Sequence, residues 1–339
     1  MRENQTVNVA IAGATGAVGE ALIDVLQERD FPVGELYLLA SERSAGRRIQ
    51  FRGKSVMVQR LDEFDFAQAQ IGLFSAGGEL SAEFAPKAAA AGCVVIDNTS
   101  KFRYEEDIPL IVPEVNPHRI GEYVQRNIIA NPNCSTIQMV VALKPIHDAV
   151  GVARINVCTY QAVSGAGAGG IKELAGQTAN LLNTKPIQPK VMPVQIAFNA
   201  IPQIDEFQDN GYTKEEMKMV WETRKILEDD AINVNPTCVR IPVFFGHSEA
   251  VHIETTEQIS AEQVTELLDH APGVEVFRGE TYPTAVDQAA GTDGVFVGRI
   301  REDISHPHGI DFWVVSDNVR KGAALNSVQI AELLLNVMA

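Results

Sequence analysis

One stretch of the 339-residue chain concentrates reactive chemistry: Asn131-Pro132-Asn133-Cys134-Ser135-Thr136. It leads from an apolar strand at Ile128–Ala130, through a Pro-Asn break, into a helical pattern of Ile137, Val140, Val141 and Ile146. Cys134 therefore falls at or beside a helix N-terminus, where free N–H groups and the positive dipole end stabilise a thiolate, the reactive form of the side chain. Of the other cysteines, Cys93 and Cys158 lie inside apolar strands and read as small buried hydrophobes, while Cys238 fits either role. A thiolate that adds to a carbonyl carbon needs an acid/base, for which histidine is the usual choice. Seven histidines are available. His118, His147 and His270 sit in or beside helical segments, and His306 and His308 flank Pro307 in a turn; all five read as surface residues. His247 differs, because it stands where the apolar Phe244-Phe245 meets Gly246; His252 is the second candidate.

A second constellation is Gly13-Ala14-Thr15-Gly16-Ala17-Val18-Gly19, placed directly after the first apolar strand and opening the first helix. Glycines there let the backbone approach a pyrophosphate, and the helix N-terminus supplies N–H groups. Gly13, Thr15, Gly16, Ala17 and Val18 are the expected contacts; the alternative is a tight packing turn. An NAD site would end the second strand in an acidic residue for the ribose 2′-OH. Here Ser41, Arg43 and Ser44 suit a 2′-phosphate, so NADP is expected, with Glu42 the one neighbour that would suit a free ribose. A cysteine facing a nicotinamide points to acyl-enzyme chemistry, in which hydride moves between the cofactor and a carbon held as a thioester.

The elements that must position these groups follow from the hydrophobic pattern. Strands at Val7–Ile11, Glu35–Ala40, Ile71–Ser75 and Cys93–Asp97 alternate with helices at Ala17–Gln27 and Ser81–Ala91. Near-continuous Val, Ile and Leu runs separated by helices indicate a doubly wound parallel sheet. After Cys134 the texture changes. A helix over Ser135–Ala149, a strand over Arg154–Val163 and a helix over Ile171–Leu182 precede an irregular, Pro-rich stretch from Thr184 to Gln203. Longer strands at Val239–Phe245, Val251–Thr256, Val295–Arg301 and Ile310–Ser316 indicate a mixed sheet. The pattern is α/β, a Rossmann-like doubly wound parallel sheet followed by a second α+β domain with a mixed sheet. The expected division is 1–133 with 318–339 for the nucleotide domain and 134–317 for the catalytic one, the helical Arg320–Met338 returning to the first.

Composition narrows the function classes. With 28 Lys plus Arg against 44 Asp plus Glu, the net charge is −16, which argues against nucleic acid or an anionic membrane as a partner. Any phosphate or carboxylate must be held by a few local cations. The cysteines show no metal-ligand spacing, so no metal is expected, and no apolar run is long enough for a membrane span. MRENQTVNVAIAG has no apolar signal region, so a reducing cytoplasm is the expected compartment.

Asn131–Gln138 (NPNCSTIQ), Asn98–Arg103 (NTSKFR), Val112–Asn116 (VPEVN), Gln161–Gly165 (QAVSG) and Arg240–His247 (RIPVFFGH) together resemble the aspartate-semialdehyde dehydrogenase family. The resemblance runs from the first glycine loop to Asn318-Val-Arg-Lys-Gly-Ala-Ala, nearly the whole chain. It implies the reversible, phosphate-dependent interconversion of aspartate semialdehyde with NADP and aspartyl phosphate with NADPH, in lysine, methionine and threonine biosynthesis. It also implies a homodimer built through the second domain. By resemblance Cys134 is the nucleophile, Gln161 orients the thiohemiacetal, and His247 is the acid/base. Arg240 grips the substrate carboxylate, Arg103 and Lys218 hold inorganic phosphate, and Glu215 lies near the substrate amine. Ser164, Gly165 and Asn318 match cofactor contacts near the nicotinamide.

The residues read on their own leave two questions for the structure. Thr213–Leu227 opens with a capping box, Thr213 with Glu216, and on that helix Glu215 and Lys218 would ordinarily be a solvated ion pair. Arg240 and His247 are seven apart, which puts them on opposite faces of an unbroken strand. A shared site requires a bend at Pro242 or Gly246, or a strand that stops before His247. The rival N-acetyl-glutamyl-phosphate reductase family carries Gly-Cys-Tyr where this chain has Asn133-Cys134-Ser135, and the Ser-Cys-Thr-Thr of glyceraldehyde-phosphate dehydrogenase is absent. A non-catalytic relative would be expected to lack the cysteine or the histidine, and both are present.

Overall fold

The computed structural model describes residues 6–338 and separates into two units. One runs through Asn133 and takes up the chain again at Ala323; the other is Cys134–Gly322. The first unit begins with β1 (Val7–Ala12), α1 (Ala17–Glu28), β2 (Val33–Ala40), β3 (Arg48–Phe51) and β4 (Lys54–Arg60). It continues with β5 (Ile71–Phe74), α2 (Gly78–Ala90), β6 (Val94–Asp97) and β7 (Ile128–Ala130). The seven strands form one sheet in the order β3-β4-β2-β1-β5-β6-β7. Every pairing is parallel except the β3–β4 hairpin. That hairpin carries little local signal: its turn residues Arg52 and Gly53 both take positive φ, 47° and 74°, but Arg-Gly is not the usual Asn-Gly or Asp-Gly pair.

The second unit contains α3 (Cys134–Val150), β8 (Val152–Gln161), α4 (Gly167–Leu182), α5 (Lys214–Leu227) and β9 (Asn233–Arg240). β10 (His247–Thr255), α6 (Ala261–Asp269), β11 (Val274–Val276), β12 (Val295–Glu302) and β13 (Gly309–Ser316) complete it. Its sheet is mixed, in the order β11-β12-β13-β10-β8-β9. α3 lies against β8, β10, β12 and β13 and presents Ile137, Val140, Val141 and Ile146 to the interior. The irregular stretch after α4 has regular anchorage even without secondary structure. The Glu173 carboxylate accepts the backbone N–H groups of Lys190, Val191 and Met192 at 2.9, 2.6 and 3.1 Å, and Gln177 Oε1 accepts those of Ile196 and Ala197 at 2.9 and 3.1 Å.

The chain then returns to the first unit. The helix expected over Arg320–Met338 is interrupted: a wide π-type turn occupies Arg320–Ala324, and α7 is Leu325–Val337. Leu325, Val328, Ala331 and Leu334 join Leu22 and Leu26 of α1 in the core of that unit. A second correction concerns the strand expected over Val239–Phe245. β9 ends at Arg240, residues 241–246 are irregular, and a new strand begins at His247.

Close packing at the first turn gives a test. A Cβ on Gly19 would stand 2.2 Å from the Gly13 carbonyl oxygen and 2.8 Å from Ala14 Cα, both backbone atoms that cannot rotate away. Gly19→Ala is expected to lower unfolding stability by about 1–3 kcal/mol through overpacking. Denaturant titration checks this, and a variant of wild-type stability would show that the turn is loose.

Candidate active site

The register of three adjacent strands builds the site. Gln161, the last residue of β8, pairs with Arg240, the last residue of β9. On the other side, β10 pairs Ser248 with Tyr160 in antiparallel register, so His247, one residue further along, comes opposite Gln161. Residues directly opposite one another share a face. Arg240, Gln161 and His247 therefore form one row on the buried face of the sheet, with exposures of 6%, 1% and 0%. The spacing problem resolves because Arg240 and His247 belong to different strands. Gly246 turns the chain at φ +88°, and its N–H donates to Asn318 Oδ1 at 3.0 Å. The fallback His252 lies on the opposite face of β10, half-buried, with Nδ1 3.2 Å from the Asp311 carboxylate.

His247 is held in one tautomer. The Ala162 backbone N–H donates to His247 Nδ1 at 3.1 Å, so in the neutral ring the proton resides on Nε2. Nε2 is buried and has no hydrogen-bond partner among the described residues. Burial, reinforced by the neighbouring Arg240 cation, pushes the imidazole pKa down to about 3. The ring is thus neutral at physiological pH and offers an N–H donor to whatever occupies the space beside it.

Arg240 is buried with one protein hydrogen bond from its side chain, Nη1 to the Ala162 carbonyl at 2.7 Å. Burial lowers its pKa, opposed by the fields of Glu215, Cys134 and Cys238. The rest of its planar fork meets no acceptor among the described residues, which is the geometry for a bidentate carboxylate. A Cβ on Gly165 would lie 2.7 Å from Nη1, so the glycine leaves the space the guanidinium needs. Gln161 Nε2 donates to Glu215 Oε1 and Thr159 Oγ1, both at 3.3 Å. Glu215 accepts in turn from Lys218 Nζ at 2.9 Å, and Lys218 also reaches Asp205 at 2.9 Å. Far from a solvated pair, Glu215 and Lys218 are largely buried; burial opposes the Lys218 charge, yet Glu215 and Asp205 hold its pKa above the ordinary value. The capping box that starts α5 forms as read, with Thr213 N–H to Glu216 at 2.6 Å and Glu216 N–H to Thr213 Oγ1 at 3.3 Å.

Cys134 is the first residue of α3 and is partly accessible. A Cβ on Gly322 would stand 2.7 Å from Cys134 Cβ, so Cys134 occupies space that only glycine leaves. Nearby, Asn318 Nδ2 donates to Ser164 Oγ at 2.9 Å, which ties the two candidate cofactor residues to each other and, through Gly246, to the start of β10. Asp205 and Gly322 escape sequence reasoning. Asp205 sits in an irregular segment at φ +68° with no motif to mark it, and Gly322 lies inside the recognised Asn318–Ala324 run but acts through a distant contact.

The first unit, taken by itself, fits a dinucleotide phosphate. Gly13 turns at φ +90°, exposed Gly16 caps α1 without a side-chain hydrogen bond, and the first-turn N–H groups at Ala17 and Val18 are left for a ligand. Thr15 is half-buried at the same turn. At the end of β2, Glu42 is drawn toward Arg60, 3.6 Å away, while Arg43 is exposed with no ion pair among the described residues. Ser41 is exposed and Ser44 buried. This arrangement accommodates a ribose 2′-phosphate and draws the one nearby acid away. Arg103 is also in this unit, buried, with Nη2 donating to the Asn98 carbonyl at 2.8 Å.

Two family models match: "Semialdehyde dehydrogenase, NAD binding domain" over residues 8–123 and "Semialdehyde dehydrogenase, dimerisation domain" over residues 143–321. The chain is 68% identical to aspartate-semialdehyde dehydrogenase 2 of Vibrio cholerae over 98% of each chain. It is 51% identical to the aspartate-semialdehyde dehydrogenase of Bacillus subtilis over 97% of each. Among solved structures it is similar to Vibrio cholerae aspartate semialdehyde dehydrogenase II complexed with ASA, at TM-score 0.98 and 67% identity, covering 98% of this chain and 99% of that one. It is also similar to the Candida albicans enzyme with NADP, at TM-score 0.76 and 25% identity, covering 98% and 99%.

Two outcomes test the geometry. Gly322→Ala should displace Cys134 and lower kcat by about 10²-fold, as misplacement on the ångström scale does, with the fold intact by circular dichroism. Unchanged turnover would mean that the contact is slack. The second test is the pH dependence of stability. The His247 pKa is about 3 in the folded chain against 6.5 in the unfolded one, so the unfolded state binds more protons between those values. Its contribution is complete above pH 6.5 and is lost as pH falls toward 3. Urea unfolding of His247→Gln should therefore show a shallower acid-side decline than wild type, and parallel curves would place the imidazole in water.

Proposed function

The chain belongs to the aspartate-semialdehyde dehydrogenase family, and we propose that Cys134 is the nucleophile through which it carries out that family's reaction. It is an NADP-dependent oxidoreductase of amino-acid biosynthesis. The observation that carries the residue assignment is Arg240: a buried guanidinium, open on its fork and within the electrostatic reach of Cys134. A substrate carboxylate gripped there brings its acyl end toward the sulfur.

In the reductive direction the Cys134 thiolate adds to the acyl carbon of aspartyl phosphate, forming the C–S bond. Phosphate leaves with the electron pair of the broken C–O bond, giving a thioester. NADPH, when bound, supplies the hydride that reduces the thioester carbon. The resulting thiohemiacetal oxyanion lies where the His247 Nε2–H can donate to it and where Gln161 fixes its orientation. Collapse re-forms the C=O bond, breaks the C–S bond and returns the electron pair to sulfur, releasing aspartate semialdehyde. Full proton transfer to and from His247 requires Nδ1 to become a donor and to give up the Ala162 N–H.

Glu215 holds Gln161 and serves the substrate ammonium, Lys218 and Arg103 serve the phosphate, and the Gly13–Val18 turn with Ser41, Arg43 and Ser44 holds the NADP phosphates. Ser164, Gly165 and Asn318 serve the nicotinamide end. The protein is a homodimer formed by the second unit, in keeping with the dimerisation description of the model matched there. It works in the cytoplasm, and no described helix is long and apolar enough to cross a membrane.

The reaction is read directly from NADPH absorbance with aspartate semialdehyde, NADP and inorganic phosphate. Turnover should need phosphate and should fall on the order of 10³-fold or more in Cys134→Ser. A serine variant with wild-type turnover would remove Cys134 from the mechanism.

A further inference from the structure

Below the row of Arg240, Gln161 and His247 lies a second polar row that the reaction does not use. Thr159 pairs with Glu249 on one side and with Cys238 on the other, and all three are completely buried. The next row, Val157 with Val251 and Pro236, is apolar. Glu249 is thus a carboxyl group on the edge of the core, with no ion pair to any described residue and neither oxygen in a well-formed hydrogen bond. Beside it is the Gln138 carboxamide, whose nitrogen and oxygen are likewise buried without such a bond. Four orphaned polar atoms on two adjacent, fully buried side chains call for an explanation.

The charge state of the pair supplies it. Burial drives the Glu249 pKa well above the carboxylate range, and the Gln138 amide only partly offsets this. A carboxylate could accept the amide N–H but would leave the amide oxygen unpaired. The neutral acid donates its O–H to that oxygen and accepts the N–H, so both side chains are satisfied by a small rotation. The other titratable groups around the row are Cys238, Glu215 and Glu216, with Arg240 and His247 in the row above. Glu216 and Glu215 are already engaged, by the Cys238 N–H and by Lys218 respectively.

Gln138 is four residues after Cys134, one turn along the same face of α3. Whatever fixes Gln138 therefore fixes the turn that carries the nucleophile. We propose that Glu249 is an uncharged positioning residue: as a carboxylic acid closed on Gln138, it seats the start of α3 on the sheet and so places Cys134 over the catalytic row. Its neutrality matters as much as its shape, because a carboxylate one row below would oppose the thiolate. The proposal rests on the reading of Cys134 as nucleophile.

The test combines infrared spectroscopy with three variants of the full chain. The wild-type-minus-Glu249→Gln difference spectrum at neutral pH should contain the C=O stretch of a protonated carboxylic acid. Glu249→Gln keeps shape and neutrality; the pH profile of Cys134 alkylation by iodoacetamide, followed on the Cys134 peptide by mass spectrometry, should stay where it is. Glu249→Leu and Gln138→Leu should each lower kcat about tenfold or more with little change in KM, while Glu249→Gln restores most of it. Absence of the band, a Cys134 profile moved to lower pH in Glu249→Gln, or wild-type kcat in the leucine variants would each overturn the proposal. If Glu249→Leu does not fold, the infrared band and Gln138→Leu decide alone. Full turnover in Cys134→Ser would instead defeat the nucleophile reading and leave the infrared result untouched.

Discussion

Gln161 is the point on which the second unit is organised. It ends β8, the strand flanked by β9 and β10, and its pairing with Arg240 on one side and its place opposite His247 on the other set three functional groups in one line. Because side chains alternate faces along a strand, a one-residue slip of either neighbour would turn Arg240 or His247 to the far face of the sheet. The core enforces the register: Val157 and Ile155 on β8 are buried with Val251 and Ile253 on β10, so a slip would also turn those hydrophobes to the far face.

Around Gln161 the buried polar groups are either paired or left open toward a ligand. Asp205, Lys218, Glu215, Gln161 and Thr159 form a continuous hydrogen-bonded chain in which the two carboxylates flank the ammonium. Such a chain resists loss of any member, since removing one partner leaves a buried charge uncompensated. By contrast, the Arg240 fork and His247 Nε2 have donors without protein acceptors. These are the donors that the fold leaves open to a ligand.

Much of this was legible in the sequence where the signal is local. The glycine turn after β1, the polar break that starts α3 at Cys134, and the α5 capping box are each written within a few residues. The extent of β9 was not, because Val239–Phe245 reads as an apolar strand, whereas β9 ends at Arg240 and residues 241–246 are irregular. The β3–β4 hairpin was missed for want of a turn signature. Glu215 and Lys218 carry an ion-pair spacing that says nothing about burial, and Asp205, which completes their network, is thirteen residues from Lys218 with no pattern to connect them. Such contacts depend on tertiary proximity, which spacing cannot encode.

The placement of α7 bears on how the chain is made. Leu325, Val328, Ala331 and Leu334 fill the same core as Leu22 and Leu26, yet they are synthesised only after all of Cys134–Gly322. The apolar core of the first unit therefore stays open while all of Cys134–Gly322 is added. The nascent chain carries an exposed apolar face until α7 is made, against the usual domain-by-domain order.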